Sequence, residues 1–426
     1  MMTIAEKVEE INPYDEEFAP WRQNFMEVTP ACRCGNMLEA FNRDNALRDE
    51  YVGRELLEML QNADDQHSSL LEFSLDTHRH TLTIVNSGPK TIPFNKRGFI
   101  CLIRADTSGK KVLGNSAIGN KGRGFRSLLN WAENIEIQSN GVKCNFGVEE
   151  RKKNWEIIKN NPKDKVAFEP LLSNLLAEVA KTNPGMEIPL SILSVPTFDK
   201  ADVPTGSLEE GYRTQIRVTY SSANEDVEKV MRSQLTSLTA EFLLFVRHLE
   251  SVTINIDDQN RTIKRQEEKR LEDFSALGDY QFWSLMLNDG SGPVKWIKAI
   301  RKVRLDEKDN EIGVAWRADC EPLPKEKRVA YTYFPTAFQL LTLPCLLHAT
   351  FRLDSSRNGI DRAPENKALM YLCGQSLADI AACIAANNNL EGDGRGWETG
   401  KGWIVAGLWR TGRAFVRIAR RTAAAA

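Results

Sequence analysis

From Val52 to Gln66 the chain sorts apolar and polar positions onto two sides of a helix. Val52, Leu56, Met59, Leu60 and Ala63 form the stripe that a helix buries against a core. Glu58, Asn62 and Asp65 stand at i, i+4 and i+7, so their oxygens project together from the other face. Alone, this pattern describes an amphipathic surface helix with a solvated acidic stripe. Two later segments narrow the choice: Thr81-Leu-Thr-Ile-Val-Asn-Ser-Gly-Pro89, a strand running into a turn, and Ile118-Gly-Asn-Lys-Gly-Arg-Gly-Phe-Arg-Ser127, a glycine-rich loop that opens a helix.

Around these segments the pattern mixes strands and helices without a βαβ repeat, which predicts an α+β architecture. Residues 1–45 read as an irregular arm broken by Pro13, Pro20, Pro30 and Gly35. The motif helix is expected over Leu47 to Gln66. Strands follow over Leu71 to Leu75 and Thr81 to Val85, then a helix over Phe94 to Arg104 and another over Gly124 to Glu133. Asn140-Gly141 signals a hairpin between Ile135 and Val148. Residues 150–210 carry many prolines and read as less regular, before a strand over Tyr212 to Tyr220. Beyond Asn224 the pattern predicts a helix over Leu235 to Leu249, a strand over Val252 to Ile256, and a charged linker or exposed helix over Arg261 to Phe274. Strands are expected over Trp296 to Arg304, Val314 to Arg317 and Val329 to Phe334, and helix beyond Glu365. The domains expected are thus an arm (1–45), a first domain (46–222), a second α/β domain (223–364) and a C-terminal helical segment (365–426). The terminal run Ala423 to Ala426 is set aside, with the natural chain expected to continue.

Composition excludes several classes. The 426 residues carry a net charge of -2, so no global basic field draws the chain to nucleic acid, although Arg413 to Arg421 is locally basic. No apolar run approaches the ~20 residues of a membrane span, and the N-terminus lacks a signal-like apolar region, so a cytoplasmic protein is expected. The eight cysteines do not complete a zinc pattern; Cys32 and Cys34 read as reduced thiols.

The three segments have a shared chemistry. Gly119, Gly122 and Gly124 permit a tight loop whose N–H groups converge on phosphate oxygens. The helix that follows adds its N-terminal dipole, and Lys121 a point charge. The amide oxygen of Asn62 is a hard ligand suited to Mg2+, which keeps waters and phosphate oxygens as its other ligands. Glu58, one turn earlier, is placed to orient or deprotonate a water attacking a γ-phosphate.

In content and order these segments resemble the nucleotide site of the GHKL ATPases, the superfamily of gyrase B subunits, heat-shock chaperones, histidine kinases and MutL, and in particular its sacsin-like branch. The resemblance implies a Bergerat-type α/β sandwich over 46–222 and a transducer-like domain over 223–364. It assigns Glu58 as general base, Asn62 as magnesium ligand, and Asp65 as a brace or nucleotide contact. Asn86 and Gly88 match the family's DxG segment, where an aspartate accepts the adenine amino proton. Asparagine there is a departure that retains an acceptor without its charge. Gly119, Lys121, Gly122, Gly124 and Phe125 belong to the phosphate loop, and Thr107 to Ala117 to an ATP lid whose Ser108 and Lys110 contact phosphates. Thr214 resembles the late threonine that supports the base-binding water. Phe334-Pro-Thr336 and Phe351-Arg-Leu-Asp-Ser-Ser-Arg-Asn358 resemble the second domain, where Arg357, or else Arg352, reaches the γ-phosphate.

The cofactors implied are ATP and Mg2+, and the partner a nucleotide-dependent homodimer. With no nuclease or protease signature, any effector lies in another chain or a further C-terminal domain. Antiphage defence in bacteria is the context that stand-alone sacsin-like ATPases suggest. DNA association, a regulatory or chaperone-like module with little turnover, and a non-enzymatic scaffold stay open as alternatives.

Overall fold

The computed structural model describes residues 11–15, 18, 29–50, 52–103, 124–160, 165–182, 188–271, 279–305, 307–319, 321–340, 343–354, 359–386 and 408. The chain divides into two compact units, 1–237 with 252–260, and 238–251 with 261–426. Both combine helices with mostly antiparallel sheet, so the α+β class expected from the sequence is found.

The first unit opens with α1 (Pro30–Glu50), where the sequence predicts an irregular arm. Pro30 is its first residue, a position where the missing N–H costs nothing. Cys34, Met37 and Phe41 recur on one face and are buried with Trp155, Ile158, Leu172, Leu175 and Val179. The motif helix α2 is shorter than expected, Glu55–Asp65. Gly53, with φ of 84°, turns the chain between α1 and α2. Next come β1 (Leu70–Asp76), β2 (Thr81–Gly88), α3 (Lys96–Ile103) and, in place of the expected α-helix, a 3-10 helix over Gly124–Asn130. β3 (Asn134–Ser139) and β4 (Val142–Gly147) form the predicted hairpin, with φ of 51° at Asn140 and 75° at Gly141.

The region expected to be irregular contains α4 (Val148–Lys159) and α5 (Lys165–Thr182); Pro170 lies within α5 and masks it from a pattern reading. Then follow β5 (Thr197–Lys200), β6 (Gly206–Ser207), β7 (Gly211–Thr219), α6 (Glu225–Ser237) and β8 (Ser251–Ile256). The strands of this unit are ordered β8-β1-β2-β7-β3-β4-β5, with β6 beside β7.

Strand register stacks the buried side chains of this sheet in rows. Phe73, Ile84, Ile216, Ile137 and Cys144 form one row, and Leu75, Leu82, Val218, Ile135 and Phe146 the next. Every one of these side chains is buried, as the period-2 alternation of each strand requires.

The predicted helix over 235–249 is not found: residues 235–237 end α6 of the first unit, and the second unit opens with a 3-10 helix over Ala240–Leu244. Phe242, Leu243, Leu244, Phe245 and Val246 are all buried. The segment expected as a charged linker is the strand β9 (Gln259–Leu271). Its pairing with β10 (Tyr280–Asn288), not its own composition, makes it a strand: Lys264 faces Asn288, Arg265 faces Leu287 and Gln266 faces Met286.

β11 (Pro293–Leu305), β12 (Lys308–Arg317), β13 (Val329–Thr332), β14 (Phe334–Gln339) and β15 (Leu346–Ala349) continue the order β9-β10-β11-β12-β15-β13-β14. Among the described residues of this unit, β13 and β15 pair in parallel, Ala330 facing Leu347 and Tyr331 facing His348. Phe282, Ile297, Ile312, Val314, Trp316 and Leu347 pack with Leu369, Cys373, Leu377 and Ile380 of α7 (Pro364–Ala386). Among the described residues, no helix is long and apolar enough to cross a membrane.

One buried ion pair ties α1 to the 3-10 helix over Gly124–Asn130. Arg126 Nη1 donates to Asp44 Oδ1 at 2.8 Å, with side chains 4% and 8% exposed. Its Nη2 donates to the carbonyl of Leu102, and the Ser191 hydroxyl donates to Asp44 Oδ2. Removing one partner strands the other charge. Asp44→Ala should therefore cost about 3–5 kcal/mol in chemical denaturation. A cost under ~1 kcal/mol, as for a surface pair, would contradict this.

Candidate functional site

A third row crosses the first unit's sheet at one end, and it is polar. Asn86 of β2 lies directly opposite Thr214 of β7, and the Thr214 hydroxyl is 2.7 Å from that of Ser139 on β3. Leu71 and Val142 close the row on either side. Asn86 is 4% exposed, and Thr214 and Ser139 are fully buried. Polar groups in such a place cost free energy unless they are hydrogen-bonded, and these are bonded. Asn86 Nδ2 donates to Gln66 Oε1 and to Ser68 Oγ, both at 2.8 Å. The Thr91 hydroxyl donates to Ser68 Oγ at 3.2 Å, and the Phe94 N–H donates to Ser139 Oγ at 3.1 Å. With both amide hydrogens of Asn86 engaged, its carbonyl oxygen Oδ1 is the acceptor left to it.

The chain folds this way locally because α2 stops at Asp65. Gln66 caps it with its backbone N–H on the carbonyls of Asn62 and Asp64. His67 then takes a left-handed φ of 59°, and the Ser68 N–H returns to the carbonyl of Ala63. This tight exit delivers Gln66 and Ser68 to Asn86. The turn after β2 is equally constrained. Gly88 has φ of 146°, and a Cβ there would lie 2.9 Å from the backbone nitrogen of Ser69, so glycine is required.

At the other end of α2, Glu58 is 2% exposed and faces the 3-10 helix. A Cβ on Gly124 would collide with Glu58 Oε2 and lie 2.9 Å from its Cδ. The glycine at 124 thus makes room for the carboxylate, bringing together residues that belong to separate sequence motifs. Phe125, Asp65 and Asp64 are buried nearby in sequence, and Asn62 is half-buried. Glu55, three residues before Glu58, is also buried and accepts from Asn130 Nδ2 at 2.9 Å and Gln234 Nε2 at 2.6 Å.

The structure thus brings Glu58 to Gly124, and Asn86 to Thr214. Gly88 lies at the end of the same strand as Asn86. Ser108, Lys110, Gly119, Lys121, Gly122 and Arg357 lie outside the described residues. Arg352, the alternative to Arg357, has its Nε 3.1 Å from Asp361 Oδ2 in the second unit. Sequence reasoning missed Gln66, Ser68, Ser139 and Glu55. For Ser139 the signal was present, since the alternation Ile135, Ile137 runs on to it. The others depend on pairing across the fold. Among the described residues, no group of three or more His, Cys, Asp or Glu could hold a metal.

Neither a protein-family model nor a curated protein matches this chain.

The contact at Gly124 has a direct test. Gly124→Ala should destabilise the protein by about 1–3 kcal/mol through overpacking. In a Glu58→Ala background the same change should cost much less, a coupling of roughly 0.5–3 kcal/mol in a double-mutant cycle. Additive effects would show that the carboxylate does not occupy that space.

Proposed function

We propose that the first unit binds Mg-ATP in a Bergerat-type α/β sandwich and hydrolyses it slowly, as a conformational switch of the GHKL, sacsin-like kind. The observation that carries this reading is the meeting of Glu58 with Gly124, because it joins the acidic helix to the end of the glycine-rich loop. A general base has to stand within reach of the water it activates, beside the groups that hold the phosphates.

The residues fit the implied ligands. Asn86, turned by Gln66 and Ser68, offers a carbonyl oxygen of the kind that accepts an exocyclic amino group such as adenine's. Thr214 lies beside it and supports the same edge. Asn62 contributes one amide oxygen, which suits Mg2+ because that ion takes most of its ligands from phosphates and water. Bound there, the metal would neutralise charge on the phosphates. Asp65 braces the helix below. Glu58 would orient the attacking water and accept its proton.

The roles of Ser108, Lys110, Gly119, Lys121, Gly122 and Arg357 rest on the sequence resemblance alone. So do the transducer role of the second unit, nucleotide-dependent homodimerisation and a place in bacterial antiphage defence. The second reading, nucleotide binding with little turnover, is favoured by one feature: the acceptor at 86 is a neutral amide.

The purified protein should hydrolyse Mg-ATP. Glu58→Ala should bind ATP with similar affinity and lose about 10²–10⁴-fold in kcat, the range for removing a general base. Binding without turnover in both proteins would select the regulatory reading, and no binding in either would reject the nucleotide site.

A further inference from the structure

α2 lacks an ordinary N-cap. Its N-cap residue is Arg54, whose side chain makes no capping hydrogen bond. The second N–H of the helix, at Leu56, is the group that an N-cap Ser, Thr, Asp or Asn would normally satisfy. Here it donates at 3.3 Å to Gln234 Oε1, which reaches in from α6, 178 residues later in the chain. The other end of the same amide, Nε2, donates at 2.6 Å to Glu55 Oε2. Because one end meets a backbone donor and the other a carboxylate, the amide has only one workable orientation.

Glu55 is 1% exposed and its second oxygen takes Asn130 Nδ2 at 2.9 Å, from the last residue of the 3-10 helix. One carboxylate and one amide therefore hold together the first turn of α2, the 3-10 helix and α6. The first two of these elements carry Glu58 and Gly124.

We propose that Gln234 and Glu55 are positioning residues for turnover. Gln234 acts as a remote helix cap, and through Glu55 it fixes the rotation of the first turn of α2, and so the place of Glu58 one turn along. Glu55 is not a second base, because both of its oxygens accept hydrogen bonds from side-chain amides. This inference rests on the ATPase reading of Glu58.

The amide–carboxylate pair can be exchanged, which separates positioning from simple folding. In Gln234→Glu, two carboxylates face one another at hydrogen-bond distance and can hold together only by sharing a proton, which raises their apparent pKa. The bridge in this variant is then intact below that pKa and lost as pH rises through it. kcat for Mg-ATP, measured from pH 5.5 to 9, should fall by roughly tenfold or more towards high pH, the scale of a slightly misplaced catalytic group, while KM stays within about twofold of wild type. The exchange variant Glu55→Gln with Gln234→Glu restores one donor facing one acceptor. It should return kcat at high pH to near the wild-type value and remove the added pH dependence.

A wild-type pH profile in Gln234→Glu overturns the proposal. So does a loss that is equal at every pH and not rescued by the exchange, since that reports damage to the fold. The melting temperature over the same pH range separates the two levels. If wild type shows no turnover while Gln234→Glu melts lower as pH rises, the ATPase reading has failed, and the role in turnover falls with it although the contact is real.

Discussion

Asn86, Thr214 and Ser139 interrupt a sheet face whose two neighbouring buried rows are apolar. Each such group left without a partner would cost about 1–3 kcal/mol, a large part of what keeps a domain folded. The surroundings are arranged to avoid that cost. The early exit of α2 supplies Gln66 and Ser68, the turn after β2 supplies Thr91, and the chain entering α3 supplies the N–H of Phe94. The same constraint governs the other end of α2, where Glu55 is satisfied by Asn130 and Gln234 and Glu58 fits only because residue 124 lacks a side chain. A row of apolar side chains would make a simpler core. Buried polar groups held in fixed orientations are what a ligand site requires.

How much of this was legible depends on whether the signal was local. The alternation Leu71, Phe73, Leu75 and the pair Asn140-Gly141 gave strands and a turn directly, because period-2 burial and a left-handed turn leave marks within a few residues. Leu56, Met59, Leu60 and Ala63 of the expected stripe gave α2 for the same reason, whereas Val52, read as part of it, lies before the helix and is exposed. The start of α2 was misjudged because Gly53 breaks what otherwise reads as one helix. α1 and α5 were hidden by prolines, one at a first turn and one inside.

Other elements are set by distant partners. β9 is a strand because β10 lies alongside it, and nothing in its charged composition says so. At the candidate site, Glu58, Gly88, Asn86 and Thr214 were named from their motifs, but the register that sets Asn86 against Thr214 is a property of the sheet. Gln234 could not be seen at all. A glutamine that caps a helix 178 residues earlier has no local pattern.

We propose that the polar row recognises a nucleotide base through Asn86. The most direct measurement is the ATP dissociation constant of Asn86→Leu and Asn86→Asp beside wild type, with folding checked by melting. The leucine variant loses the acceptor and should bind at least about tenfold more weakly, whereas aspartate keeps an acceptor and should bind at least as well as wild type. Equal affinity in all three folded proteins would show that residue 86 does not touch the ligand, and the base site would have to be sought elsewhere.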